Sequence, residues 1–194
     1  MAKHWLILLL ACSFSSVFAQ QQEPYMLVAD SLWGKEIFRF PLPFAPKLAD
    51  NGFEDARFPK NWSNQTSPHY WSYAFAWYLT LNEEPSEKML ELYIKRYFDG
   101  LMNAVNKDKE LTLTETTVLF IKQSGDAPGY VGKIKVYNAF HTKMMMTLNV
   151  LAELHYCEAK NKTVLLFRFS PSNFHSKIWE DLKKIKVRED FCTF

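Results

Sequence analysis

The sequence predicts an α+β fold, in which an antiparallel β-sheet of about five to seven strands packs with two helices. Three observations lead to this prediction: an alternating aromatic strand, an amphipathic helix directly after it, and a series of four strand-like segments with short connections. The 194-residue chain is 48% hydrophobic and 23% charged, so it has enough apolar side chains to bury one sizeable core.

Residues 1–19 have the pattern of an export signal. Lys3 gives a basic start, an apolar run follows over Trp5–Ala11, and a small-residue cleavage site ends at Ala19. We therefore expect a signal peptide at residues 1–19 and a single α+β domain over residues 20–194.

The apolar run of this signal is too short for a membrane span, which needs about 20 residues. We expect no transmembrane segment in the mature chain, and a periplasmic or secreted location. One alternative is a lipoprotein anchored at Cys12, because Leu9–Cys12 resembles the short motif that precedes a lipidated cysteine.

The first predicted strand of the domain is Glu36–Phe40, and the segment after it, residues 41–68, is predicted to be mostly irregular. Seven of the nine prolines lie between Pro24 and Pro85, and proline removes a backbone donor from a sheet. Such a long loop is unusual inside a compact domain. It carries aromatic rings that should anchor it to the core: Phe44, Phe53, Phe58 and Trp62.

The stretch HYWSYAFAWYLTL, residues 69–81, predicts a strand with two unlike faces. One face is uniformly large, and the other has small residues at its middle. A helix would scatter the rings around its circumference, so a strand is favoured. We predict that these rings form core rather than a ligand platform, and that three of them lie buried under the next helix: Trp71, Phe75 and Trp77.

That helix is predicted over Ser86–Asn106, where apolar residues recur at steps of three and four. Gly100 lies inside it at a cost of about 1 kcal/mol relative to alanine, so we expect close packing at that position. Four strands are predicted next, with connections short enough for antiparallel hairpins: Thr114–Gln123, Tyr130–Phe140, Lys143–Cys157 and Thr163–Phe169.

The last predicted element is a helix over Asn173–Lys186, with Ser172 as its cap. The sequence leaves open whether the two helices share one face of the sheet. Helices on one face would suit a ligand held between sheet and helix, whereas helices on opposite faces would leave little cavity.

Charge and cysteine content restrict the function classes. The formal net charge is +2 and no basic block of five or more residues occurs, so nucleic acid is not an expected partner. Cys157 and Cys192 would remain after signal cleavage, and two cysteines in an exported chain predict a disulfide.

Familiar catalytic signatures are absent from the sequence, which contains no GxSxG, HExxH, CxxC or Gly-rich phosphate loop. Glu153, His155 and Cys157 alternate on one strand face, a pattern that a nucleophilic site could use. Their spacing of about 6.5 to 7 Å is too wide for direct hydrogen bonds, so an ordinary solvated face is favoured. The histidines lack ligand spacing, and no metal or cofactor is expected.

The candidate ligand-binding residues lie in the 41–68 segment: Glu54, Asp55, Arg57 and Trp62. The charged residues stand between aromatic anchors, an arrangement that could line the mouth of a pocket, and ordered loops often carry binding sites. The opposing interpretation is that these charges satisfy each other or the backbone.

The leading hypothesis is an exported binding or accessory protein without catalysis, which holds an apolar or amphipathic ligand between sheet, helix and the 41–68 segment. The alternatives are a secreted hydrolase that uses the loop carboxylates with a histidine, and a structural partner in an envelope assembly. An apolar cavity would favour the first class, and carboxylates converging with a histidine the second. A broad exposed apolar patch would favour the third.

Overall fold

The structure is a computed structural model that describes residues 25–49, 51–81, 83–124 and 129–193. The predicted signal peptide, the Cys12 anchor and residues 20–24 lie outside the described residues. The described chain forms a seven-stranded antiparallel sheet, a separate two-stranded ladder and two helices, so the α+β prediction is confirmed. The elements are β1 Leu27–Val28, β2 Gly34–Arg39, β3 Phe53–Phe58, β4 Tyr73–Leu79, α1 Glu87–Val105, β5 Thr117–Gln123, β6 Gly129–Tyr137, β7 Met145–Cys157, β8 Lys162–Ser170, α2 Ile178–Lys184 and β9 Lys186–Val187.

The sheet consists of two meanders joined edge to edge. Its strand order is β2-β3-β4-β8-β7-β6-β5, with β4 paired to β8 at the seam. The helix α1 follows β4, the third strand in this order, and leads to β5 at the far edge of the sheet. The four strands predicted in the C-terminal half are confirmed as the meander β5 to β8.

Strand β3 was not expected, because it lies within the segment predicted to be irregular. Residues 53–58, FEDARF, pair with β2 on one side and β4 on the other, and the expectation is wrong for these six residues. Three charged residues in six do not resemble an interior strand. They are tolerated because each charged side chain has hydrogen-bond partners in distant parts of the chain, and Asp55 and Arg57 also pair with each other.

The helix α1 covers one face of the sheet. Ser86 caps it, with the hydroxyl accepting a hydrogen bond from the Met89 backbone N–H at 3.3 Å. The large face of β4 packs beneath it, with Phe75 and Trp77 fully buried. The Tyr97 ring centroid lies 4.9 Å from that of Phe75. The predicted core role of these β4 rings is therefore confirmed.

The second helix, α2, lies on the opposite face of the sheet. Its buried residues pack against the small side of β4, where Ala74 and Ala76 leave room for the Trp179 ring. The helix is shorter than predicted. Ser172 does not cap it, because the helix begins at Ile178 and turns precede it; the Ser172 carbonyl instead accepts a hydrogen bond from the Trp179 indole.

A disulfide and a two-stranded ladder secure the ends of the described chain. Cys157 and Cys192 are bonded with a Cα–Cα distance of 5.5 Å, which confirms the predicted bridge. Near the other end, β1 and β9 form the two-stranded ladder.

Strand β5 is an edge of the sheet, and α1 partly covers that edge with carboxylates. Glu91 accepts the backbone N–H of Phe120 at 3.0 Å, and Glu87 accepts that of Lys122 at 3.4 Å. These backbone groups face away from β6 and would otherwise lack a protein partner.

Candidate functional site

An aromatic cavity of about 170 Å³ lies between the sheet, α1 and the loops beside them. Strands β2, β3 and β4 form its floor, and α1 forms one wall. Eight aromatic rings, one leucine and two carboxylates line it: Glu36, Phe38, Phe44, Glu54, Phe58, Trp62, Trp71, Tyr73, Tyr97, Leu101 and Phe140. We call this space the aromatic cavity.

Glu54 is a fully buried carboxyl group in the lining of the aromatic cavity. It extends from β3 toward α1, where each of its oxygens accepts one hydrogen bond. The Trp77 indole N–H donates to Oε2 at 2.7 Å, and the Tyr97 hydroxyl donates to Oε1 at 3.0 Å. Both donors are neutral, so they orient the carboxyl group without supplying a countercharge.

The electrostatics of the cavity follow from this burial. Loss of hydration raises the pKa of Glu54 to about 7, although the hydrogen bonds from Trp77 and Tyr97 partly oppose the shift and nearby Glu36 adds to it. Burial, together with the Glu54 charge, also raises the pKa values of Tyr73 and Tyr97 well above the ordinary value. Glu54 therefore changes charge near neutral pH.

The mouth of the cavity is aromatic and partly open. Phe140 is 37% exposed, and the half-buried Trp62 ring lies with its centroid 4.9 Å from that of Phe58. Trp71 packs edge-on against Trp62 and Phe140, and its ring contacts are with these loops and β4 rather than with α1. Its predicted burial is confirmed, but its cover comes from loops.

Two buried polar atoms beside the cavity have no hydrogen-bond partner within the described residues. They are Nε1 of Trp71, which lines the cavity, and Nε2 of His141. The His141 ring contacts Trp62 at 6.5 Å and Phe140 at 6.0 Å between centroids. Buried groups without partners are uncommon in folded proteins. Two of the three in the described residues lie here, and the third, Nε2 of His155, lies on β7.

Gly100 determines how closely the 41–49 segment approaches α1. A Cβ at this position would overlap the backbone carbonyl of Phe44, whose ring forms part of the cavity wall. The Phe44 and Tyr97 rings are in edge-to-face contact at 5.2 Å, and Arg96 donates to the Lys47 carbonyl at 3.1 Å. The close packing predicted at Gly100 is confirmed, and it closes one side of the cavity.

The structure brings two of the four candidate residues, Glu54 and Trp62, into the cavity lining and separates the other two from it. Asp55 and Arg57 alternate with Glu54 along β3, so they face the opposite side of the sheet. There they pair with each other. Asp55 Oδ2 accepts the Met26 and Leu27 backbone N–H groups at 2.6 and 2.8 Å, and Arg57 donates to the Leu27 carbonyl at 3.0 Å. This pair anchors the N-terminal strand.

The Glu153, His155 and Cys157 pattern does not form a nucleophilic site, because Cys157 is in the disulfide. Burial opposes ionisation of Glu153, but His155 and Arg168 outweigh it and lower its pKa to about 2. We assign most of the lowering to Arg168. Its guanidinium nitrogens lie 2.6 and 3.2 Å from the Glu153 carboxylate oxygens, whereas His155 Nε2 lies 3.6 Å from the nearer one. Arg168 also donates to two carbonyl groups at the end of α2, so the cluster holds that helix to the sheet.

A larger cavity of about 460 Å³ lies beside the C-terminal half of α1, along residues 109–116. Its lining mixes charged, polar and apolar side chains. Two acids line it, Asp99 and Glu115. Asp99 accepts hydrogen bonds from the Thr116 backbone N–H at 2.7 Å and from Lys95 at 2.6 Å, and Glu115 pairs with Lys95 at 2.9 Å. Size alone therefore does not make it the better candidate, and the aromatic cavity has the more distinctive chemistry.

Three polar residues of the aromatic cavity were missed from the sequence: Glu36, Tyr73 and Tyr97. Tyr73 and Tyr97 belong to the apolar stripes of a strand and a helix, where a tyrosine looks like core. Glu36 looks like the solvent-facing residue of an edge strand. Strand pairing reveals the place of Glu36: Phe38 lies opposite Glu54 and shares its face, and Glu36, two residues before Phe38, lies on that face too.

Together the fold and the cavity define an α+β domain with a small aromatic cavity under one helix. No protein-family model, curated protein or solved structure matches this chain. Within the described ranges, no helix is both long and apolar enough to span a membrane. In the same ranges, no group of three or more His, Cys, Asp or Glu side chains is arranged to hold a metal ion.

Proposed function

We propose that this protein is an exported binding protein, which holds a small apolar or amphipathic ligand in the aromatic cavity without covalent chemistry. The observation that carries the proposal is the composition of the cavity, in which eight rings surround a fixed carboxyl group between the sheet, α1 and the 41–68 segment. Ligand sites are typically apolar and contain a few oriented polar groups.

The stability cost of the site supports the same proposal. A carboxyl group buried between neutral donors destabilises the folded protein when it ionises, and an apolar side chain in its place would avoid that cost. Strongly perturbed titratable groups in a cavity are common at functional sites. The unpartnered polar atoms of Trp71 and His141 lie at the same place, so three independent departures from ordinary core packing coincide.

Export is part of the proposal. The Cys157–Cys192 disulfide is the structural observation that supports it, because disulfides persist mainly in oxidising compartments. Mass spectrometry of the protein from its native host should find a mature chain that starts at Gln20. An intact Met1 on cytosolic protein contradicts export, and a start at lipidated Cys12 selects the membrane-anchored alternative.

Binding is tested with benzyl alcohol, a neutral probe with one benzene-sized ring and one hydroxyl group. Saturation-transfer NMR should detect the bound probe, and Phe140→Ala should weaken the signal, because the ring forms part of the mouth. Ile121→Ala, at a 59% exposed position on β5, is the control and should leave binding unchanged. Equal binding by both variants and the parent places the probe elsewhere and contradicts the proposal.

The two alternatives, a secreted hydrolase and a structural partner in an envelope assembly, stay predictions. The described lining of the cavity contains two carboxylates but no histidine, and His141 contacts its outer rings rather than the carboxyl groups. A hydrolase would therefore need a substrate that bridges the mouth and the floor.

A further inference from the structure

The aromatic cavity has an unbalanced charge distribution. Its described lining includes the acids Glu36 and Glu54 but no lysine, arginine or histidine. Glu36 is exposed at the mouth, opposite Ala56 of β3, and Glu54 is buried at the floor. Both acids affect the electrostatics of the same cavity, because the charge of Glu36 raises the pKa of Tyr97 as well as that of Glu54.

Glu54 differs from the other buried charged residues of the described chain. Asp55 and Arg57 form one ion pair, and Arg168 pairs with Glu153. Glu54 has no basic partner within the part of the chain that the structure describes, and its two hydrogen-bond donors are neutral. A buried ion without a countercharge is costly, so a cation held close to it gains an attraction that the protein itself does not satisfy.

The rings around Glu54 are suited to the same kind of ligand. The faces of aromatic rings carry partial negative charge and attract ammonium groups, most strongly where water is excluded. The cavity is lined by two tryptophans, two tyrosines and four phenylalanines. An apolar cavity of about 150 Å³ holds one benzene molecule. At about 170 Å³, the aromatic cavity therefore has room for a head group of comparable size.

We propose that the ligand is a small organic ammonium cation, whose charged head group lies among these rings with Glu54 and Glu36 as its countercharges. This inference rests on the proposed binding function and adds the chemical class of the ligand. Because Glu54 is fully buried, its charge acts across a short distance rather than through direct contact. A quaternary ammonium group is suited to this arrangement, since it has no N–H donor and needs no hydrogen-bond acceptor.

The test compares choline with 3,3-dimethyl-1-butanol, its neutral isostere in which carbon replaces the ammonium nitrogen. Isothermal titration of the purified full-length protein at neutral pH should show that choline binds at least about tenfold more tightly. Equal or tighter binding of the neutral isostere overturns the ammonium assignment and leaves the binding proposal intact. If neither compound binds while benzyl alcohol does, the ammonium assignment also fails alone. If none of the three binds, both proposals fail.

Charge variants test the two acids separately. Glu36→Gln keeps the size of an exposed side chain and should weaken choline binding severalfold without changing the affinity for the neutral isostere. Glu180→Gln removes the same charge from an exposed position on α2, on the other face of the sheet, and should change neither affinity. If Glu36→Gln and Glu180→Gln weaken choline binding equally, only the net charge matters, and the assignment of Glu36 is overturned.

The pH dependence of choline binding tests Glu54. The titratable groups that line the site are Glu36 from β2, Glu54 from β3, Tyr73 from β4 and Tyr97 from α1, and the His141 ring contacts Trp62 and Phe140 beside it. Raising the pH from about 6 to about 8 ionises Glu54 and should strengthen choline binding. Glu54→Gln should remove this dependence, whereas Glu36→Gln should retain it. An affinity of the parent that is the same at both pH values overturns the role of Glu54.

Discussion

Replacement of Glu54 by glutamine should make the protein more stable at and above neutral pH. Glutamine is uncharged and nearly the same size as glutamate. Its carbonyl oxygen can accept the Trp77 indole N–H, and its amide N–H can donate to the Tyr97 hydroxyl, which then acts as acceptor. The variant therefore keeps both hydrogen bonds and loses only the buried charge.

The size of the effect follows from the pKa of Glu54, which burial raises from 4.5 to about 7. The folded protein holds this proton more tightly than the unfolded chain does. The free energy of unfolding therefore falls as the pH rises from about 4.5 to about 7, by about 1.4 kcal/mol per pH unit. The total loss is about 3 kcal/mol. Glu54→Gln should match the parent near pH 4.5 and exceed its stability by about 3 kcal/mol at pH 8.

Urea denaturation, followed by tryptophan fluorescence between about pH 4.5 and pH 8.5, measures this difference. Other titrating groups are common to both proteins and cancel when the two free energies are subtracted. Trp77→Phe is a useful second variant, because it removes a donor to the ionised carboxyl group and should move the midpoint of the pH dependence upward. A parent-minus-variant difference that stays constant across this range refutes the reasoning.

Glu153 supplies a control of opposite sign in the same chain. Its pKa is lowered to about 2 by His155 and Arg168, in spite of the opposing effect of burial. It therefore contributes stability that is present above the unfolded pKa of about 4.5 and is lost as the pH falls through about 2. Glu153→Gln should destabilise the protein at neutral pH, and the difference should shrink in acid. Stabilisation at neutral pH by Glu153→Gln would show that the Arg168 pair is not favourable.

Three further changes test the packing. Replacing both Cys157 and Cys192 with alanine should lower the free energy of unfolding by roughly 3 to 4 kcal/mol, because the bridge spans 35 positions. The melting temperature should fall by about 10 °C, and an unchanged melting temperature contradicts this. Trp77→Ala should cost about 3 to 5 kcal/mol in urea denaturation, and a variant that unfolds like the parent would mean the ring is not core. Gly100→Ala should lower the melting temperature, because its Cβ would overlap the Phe44 carbonyl, although alanine favours a helix by about 1 kcal/mol relative to glycine. A stabilised variant would show that the 41–49 segment moves freely.

Regular elements were predictable from this sequence where one pattern dominates. The alternation of 71–81 predicts β4, and the spacing of apolar residues after Ser86 predicts α1 with its cap. In both cases local pattern and tertiary burial agree. The failure at β3 has a physical reason, because its charged side chains make hydrogen bonds with Trp77, Tyr97 and the backbone of residues 26–27, all distant in sequence.

The candidate site could be predicted only in part for the same reason. The sequence singled out Glu54 and Trp62 but grouped them with Asp55 and Arg57, since a loop has no faces. In a strand, successive side chains point to opposite faces of the sheet, so Glu54 lies on one face and Asp55 and Arg57 lie on the other. The face that each residue occupies depends on the register of β3 with β2 and β4, which no local pattern specifies.

The carboxylates of Glu87 and Glu91 at the β5 edge also affect how this protein can assemble. A second chain that added a strand there would need the same backbone N–H groups that these side chains already occupy. Its own carbonyl oxygens would also meet two anions. Addition of a strand at this edge therefore requires the Glu87 and Glu91 side chains to release these N–H groups first, so the helix that covers the core also opposes filament growth.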